Sequence, residues 1–146
     1  MPTKAELKKD AKKLGFISNM EGLGFKLGPT GFWFYRERGE FIDVIDFWMK
    51  SSMKWVEVPV ICFIKDKVKH CDMAKFPKGF TTGMPCLSRM FAGRLGFEIS
   101  GVPWKVADSE TIKYTFNQLL ELIKEEVDPW FKALDSKEKI MQCNSW

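Results

Sequence analysis

Apolar residues recur at two spacings along the chain, and each spacing predicts a different element. Between Ile112 and Val127 they fall three or four residues apart, which is the period of an amphipathic helix. From Trp55 to Ile64 they occupy alternate positions, as in a strand with one buried face. We therefore expect a single α+β domain over residues 1–146: an N-terminal helix, an antiparallel sheet of about five or six strands, and C-terminal helices packed on one face.

Capping and breaking residues predict where the helices begin and end. Thr3 opens a capping-box pattern, and Gly15 is a natural C-terminal stop for the first helix. Pro85 predicts the start of a short helix. The pair Asp128-Pro129 predicts the end of the long C-terminal helix, because the residue before a proline avoids the helical region.

The middle of the chain predicts three successive antiparallel strands. Gly39 supplies the positive φ that a hairpin turn between the first two requires. Pro59 cannot donate a ladder hydrogen bond, so the third strand is expected at an edge or bulged there, where it could pair with another chain. The second strand carries apolar residues on both faces, which predicts that both are covered. The strands are Phe32–Arg36, Phe41–Met49 and Trp55–Ile64.

Composition and charge exclude several classes of protein. The chain has 45% apolar and 29% charged residues, which is typical of a globular domain. Its net charge of +4 is lower than nucleic-acid-binding domains usually carry, so we do not expect nucleic acid as a partner. The longest apolar run, Val58–Ile64, is too short for a membrane helix, and the polar N-terminal residues do not resemble a signal peptide. We expect a cytoplasmic protein with reduced cysteines and no membrane partner.

Aromatic residues are unusually frequent, with 13 Phe, 6 Trp and 2 Tyr. Such rings carry large buriable surfaces, so they predict a thick aromatic core. The alternative is that some of them line a ligand pocket. The sequence leaves both interpretations open.

Catalytic and cofactor motifs are weak. The glycine-rich stretch that includes Gly24 fails the dinucleotide pattern, and we expect no cofactor. His70 and Cys71 lack the spacing of a zinc site, so we expect no metal. Asp43 and Asp46 lie on one predicted strand but face opposite sides, so they cannot act as a pair. We expect no catalytic residues, and the role of the basic loop 65–83 stays open.

Short motifs in the chain also resemble a known family. The motifs are Phe34–Arg36, Ile45–Ser51 and Asp128–Phe131, followed by a terminal helix. Their order resembles a bacterial family catalogued as domain of unknown function 4304, over roughly residues 4–140. The chain departs from it at Trp48, where the family has an amide side chain. The resemblance implies helices on a curved antiparallel sheet, implies no activity, and suggests a mobile gene cassette as the genetic context.

We expect a non-catalytic binding module whose partner is another protein, in an accessory or immunity-like role, or a second copy of itself. Aromatic residues and arginine dominate binding hot spots. Two alternatives stay open: a small-molecule-binding protein with an aromatic pocket between sheet and helix, and a small enzyme that uses His70 or Cys71. The residues predicted to bind the partner are Trp33, Tyr35, Arg36, Trp48 and Trp55.

Overall fold

The structure of the protein is a computed structural model that describes residues 4–29, 31–50, 55–65, 86–90, 104–105 and 109–143. The helices are α1 (Lys4–Lys13), α2 (Phe16–Gly22), α3 (Ser109–Leu122), α4 (Asp128–Ala133) and α5 (Lys137–Cys143), with a π-turn (Ile123–Val127) joining α3 to α4. The strands are β1 (Lys26–Leu27), β2 (Trp33–Arg38), β3 (Phe41–Asp46), β4 (Trp48–Lys50), β5 (Trp55–Glu57), β6 (Pro59–Ile64), β7 (Cys86–Met90) and β8 (Trp104–Lys105).

The described strands divide between two antiparallel sheets. The larger sheet has the order β1-β2-β3-β6-β7, and the smaller has the order β4-β5-β8. The α+β class with antiparallel pairing and a C-terminal helix is therefore confirmed. A single sheet of five or six strands is not supported, because the larger sheet consists of four main strands and a two-residue edge strand.

One long hairpin contributes to both sheets. Strand β3 pairs with β6 and β4 pairs with β5, and the register is continuous from one pair to the next. Both arms are interrupted at the same level, at Phe47 and Val58, which are buried in the core. Each of the two predicted strands is thus divided in two where the hairpin passes from one sheet to the other.

Two predictions about strand positions are wrong. Pro59 does not mark a sheet edge, because β6 lies between β3 and β7. It is the first residue of β6, where its missing amide is tolerated. The short helix predicted after Pro85 is strand β7, which pairs with β6. Periodicity alone cannot distinguish a five-residue strand from a short helix.

The C-terminal helical segment continues past the predicted stop. The π-turn leads directly into α4, and Pro129 lies in the first turn of that helix. Proline has no amide to donate, and the π-turn before it, in which the Asp128 amide donates to the Ile123 carbonyl, replaces the regular α-helical hydrogen bonding at this point. Asp128 is therefore a helical residue with a buried side chain, and the predicted end of the helix is wrong.

The apolar stripe of the C-terminal helical segment is buried against the larger sheet, as predicted. Rings from α2, α3 and the sheet pack on one another with centroid separations of 4.5 to 6.5 Å, the closest being Phe32 and Phe47. The residues of this ring cluster are Phe16, Phe32, Phe34, Phe47 and Phe116. These five aromatic side chains therefore form part of the hydrophobic core.

The opposite face of the larger sheet is buried along β3, its middle strand. All six residues of β3 are buried, which confirms the prediction drawn from its two apolar faces.

Among the helices that the structure describes, none combines the length and apolarity needed to cross a membrane.

Candidate functional site

A buried ion cluster lies on the helix-covered face of the larger sheet. Strand register places Arg36 opposite Asp43, and Cys62 opposite Asp43 on its other side. Asp43 is fully buried, yet Arg36 donates from Nε and Nη2 to its Oδ2 at 3.0 and 2.9 Å. Arg38 donates from Nε to Oδ2 at 2.8 Å and from Nη2 to Oδ1 at 3.0 Å. One carboxylate therefore binds two guanidinium groups.

Asp128 extends the cluster to the C-terminal helices. Its Oδ1 accepts from Arg36 Nη1 at 2.7 Å, and its Oδ2 lies 3.0 Å from Lys132 Nζ. Burial alone would raise the pKa of Asp128, but the hydrogen bonds and charges of Arg36 and Lys132 outweigh it and lower that pKa below its usual value. The Arg36 guanidinium also lies 4.3 Å from the Phe25 ring centroid, within cation–π range.

The geometry of the cluster is that of a structural contact between the sheet and the C-terminal helices, not that of a reactive centre. Arg38 donates from Nη1 to the Leu134 carbonyl at 3.1 Å, which fastens the end of α4 to β2. Burial and the neighbouring Asp43 carboxylate raise the pKa of Cys62 to about 12. A thiol with so high a pKa holds almost no thiolate near neutral pH and is a poor nucleophile.

A cleft lies beside β2, at the point where edge strand β1 stops. Strand β1 pairs only with Phe34 and Tyr35. The residues before it turn away from the sheet: the Gly24 amide donates to the Glu21 carbonyl at 2.9 Å, and the Phe25 amide donates to Met20 at 3.0 Å. Gly24 has φ 91°, a conformation that glycine adopts readily. This turn leaves the outer edge of β2 uncovered by β1 beyond Tyr35.

The main-chain groups of Glu37 face this cleft. The Trp33 carbonyl accepts from the Gly28 amide at 2.8 Å, so its main chain faces β1. In an antiparallel strand alternate residues bond to the same neighbour, which turns Tyr35 and Glu37 to that side as well. The position opposite Glu37 would belong to Gly24, whose amide is directed to α2. In the described part of the chain, no strand residue pairs with Glu37 on that side.

The cleft has a volume of about 290 Å³ and is open to solvent. Its lining residues are Gly24, Lys26, Tyr35, Arg36 and Glu37. A shallower depression of about 320 Å³, lined in part by Glu21 and Phe25, shares Gly24 and Lys26 with it. The Glu37 carboxylate lies 3.3 Å from Lys65 Nζ, so its charge is balanced. Lys26 is exposed and has no ion pair within the residues that the structure describes.

The five predicted binding residues do not form one surface. Trp33 is buried, with its indole against Gly28, where any side chain would collide with it. Tyr35 is half-buried, 5.6 Å from Trp33 between ring centroids, and lines the cleft. Arg36 belongs to the buried ion cluster on the other face. Trp48 and Trp55 lie in β4 and β5, and their side chains are outside the described structure.

The remaining predicted chemistry lies largely outside the described residues. His70, Cys71 and the loop from residue 66 onward belong to that part. Within the described ranges, no group of three or more His, Cys, Asp or Glu side chains could hold a metal ion. Lys26 and Glu37 were not predicted as site residues. They line a cleft only because the chain turns away from β2 at Gly24. The glycine-rich composition around Gly24 indicated a turn but not its direction.

Comparisons of the chain with protein-family models, with curated proteins and with solved structures found no match. The resemblance to domain of unknown function 4304 therefore stays an expectation.

Proposed function

We propose that the protein is a non-catalytic binding module that receives an extended segment of another protein beside β2. The observation that carries this proposal is the main chain of Glu37, which faces a cleft instead of a neighbouring strand. Extended peptides bind exposed sheet edges by adding main-chain hydrogen bonds, while neighbouring side chains provide specificity. Tyr35 offers the segment an aromatic surface with a polar tip, a feature common at binding sites.

The described titratable groups favour binding over catalysis. A catalytic centre needs acid, base or nucleophile groups that converge on a space which substrate can enter. Arg36, Arg38 and Asp43 converge, but on one another and inside the core. The cleft itself holds an exposed lysine and a paired carboxylate, which can orient a ligand.

Selection from a random linear peptide library displayed on phage, with the folded protein immobilised, tests this proposal. Selected peptides are synthesised and their Kd is measured by fluorescence anisotropy. We expect about a tenfold weaker Kd for Glu37→Pro, because the variant lacks the main-chain donor that faces the cleft. Proline is tolerated where a strand amide faces outward, so the variant should keep its circular dichroism spectrum and urea midpoint.

The matched control is Glu37→Gln, which keeps the amide and loses the carboxylate. It should retain the wild-type Kd within about threefold, because the Glu37–Lys65 pair is exposed. Equal binding of the peptides to Glu37→Pro and to wild type would contradict the proposal. So would a selection from which no peptide binds with a Kd below 1 mM.

A further inference from the structure

Strand β1 blocks one end of the unpaired edge of β2 that faces the cleft. Strand β1 runs antiparallel to β2 along the same edge, with Lys26 opposite Tyr35. A segment that pairs with Glu37 and also runs antiparallel to β2 has one further position, opposite Arg36, before it meets Lys26. Since β1 already occupies the next positions, the segment must end there or turn away from the sheet.

The charge at the closed end fits a chain that ends. Opposed residues of an antiparallel pair point to the same face, so Lys26 lies on the face of Tyr35 and Glu37. Lys65 already balances Glu37, which leaves the Lys26 ammonium as the uncompensated charge among the described cleft residues. An antiparallel segment that arrives from the Arg38 side presents its C-terminal end to Lys26.

The size of the cleft also favours the end of a chain as its ligand. A volume of about 290 Å³ is near the lower limit of ligand pockets, so it suits the last residues of a chain rather than a strand that passes through. Main-chain hydrogen bonds to Glu37 would hold the segment in register. A carboxylate bound by a lysine is a charge-assisted hydrogen bond, which is about twice as strong as a neutral one.

We propose that the cleft recognises the free C-terminus of a partner protein, with the terminal carboxylate on Lys26 Nζ and the preceding residue paired with Glu37. This inference rests on the proposed binding of an extended segment and specifies which segment it is. It makes Lys26 the residue that distinguishes a chain end from an internal sequence.

Two random peptide libraries, one displayed with free C-termini and one with the C-terminus fused to the carrier, test this inference. Peptides from the first library are synthesised with a free carboxylate and as C-terminal amides. For the wild-type protein we expect amidation to weaken the Kd by about ten- to a hundredfold, as for a hydrogen bond between charged groups. For Lys26→Gln we expect the two forms to bind with Kd values within threefold of each other.

Lys113→Gln, which removes an exposed lysine from α3, is the matched control and should preserve the amidation effect. Peptides from the fused library that bind as tightly, or amides that bind like free acids, would overturn C-terminal recognition and leave strand addition at Glu37 intact. If neither library yields a binder, both proposals fail. Because Lys26 is exposed, Lys26→Gln should unfold at the wild-type urea concentration.

Discussion

Asp43 is a fully buried carboxylate that pairs with two arginine side chains on the neighbouring strand. Removing charges from water is costly, and the geometry here offsets that cost with four hydrogen bonds from the guanidinium groups to a single carboxylate. Removal of the carboxylate would leave Arg36 with Asp128 alone and Arg38 with no carboxylate partner among the described residues. The penalty for that state is larger than the net contribution of the intact cluster.

Replacement of Asp43 by Asn tests this role. We expect Asp43→Asn to lower the free energy of unfolding by about 3–5 kcal/mol, the usual effect of removing one member of a buried ion pair. Urea denaturation followed by tryptophan fluorescence measures the change. Glu37→Gln, which disrupts an exposed pair in the adjoining strand, should be nearly neutral. Equal stability losses in the two variants would show that Asp43 contributes no more than a surface charge.

Little of this cluster could be derived from the sequence. A hairpin turn that includes Gly39 was predicted, but β2 extends to Arg38 instead of ending at Arg36, so the register in which Arg36 faces Asp43 was not. Asp128 lies 92 residues from Arg36, and its position depends on a π-turn that no sequence pattern indicated. The burial of Arg36 was equally hidden, because it requires the helix that supplies Asp128.

At the level of elements, the long apolar stripe was the most informative pattern in the chain. Ile112, Phe116, Leu119, Ile123 and Val127 are all buried, although a π-turn interrupts the helix between them. The apolar residues stay on one face because the π-turn, with its extra residue per turn, lies at the C-terminal end of the stripe. Periodicity therefore identified the buried face correctly while it missed the continuation into α4.

Leu119 is fully buried in the middle of that stripe, which makes it the most sensitive position for a test. We expect Leu119→Asp to abolish cooperative folding, because an unpaired charge would be placed in the core. Asn117→Asp, at an exposed position of the same helix, introduces the same carboxylate and should fold normally. Thermal melts followed by circular dichroism distinguish the two, and a cooperative transition in Leu119→Asp would contradict the assigned burial of α3.

The failures at this level have a common physical cause. Alternation showed that Trp55–Ile64 is extended, but it carries no information about which sheet each half joins. Likewise, Cys86–Met90 became a strand because the edge of β6 offered main-chain partners. Pairing between strands that are distant in the chain decides whether such segments become strands, and the local pattern of residues does not reveal that pairing.

At the level of the whole molecule, the ion cluster joins the larger sheet to the C-terminal helices. Arg36 reaches α4 through Asp128, and Arg38 reaches the residue after α4 through the Leu134 carbonyl. The stability of this contact should depend on pH, because the charged form of Asp128 is the one that Arg36 and Lys132 stabilise.

The pKa of Asp128 is lower in the folded protein than its usual value of 3.8, so its contribution is complete above that value and is lost as the pH falls below it. At pH 6 we expect Asp128→Asn to unfold with a free energy about 2–3 kcal/mol below that of wild type. The difference should shrink as the pH falls below 3.8 and wild-type Asp128 becomes protonated. Urea titrations at several pH values measure it, and a difference independent of pH would exclude this charge as its source.

The hairpin shared by the two sheets couples their folding. A slip of one residue in either half would shift the other half by the same amount, and it would exchange the faces of the side chains on one arm relative to the other. Ile61 or Phe63 would then lie opposite Asp43 in place of Cys62. Correct pairing of the smaller sheet thus helps to set which side chains of β6 enter the core of the larger one.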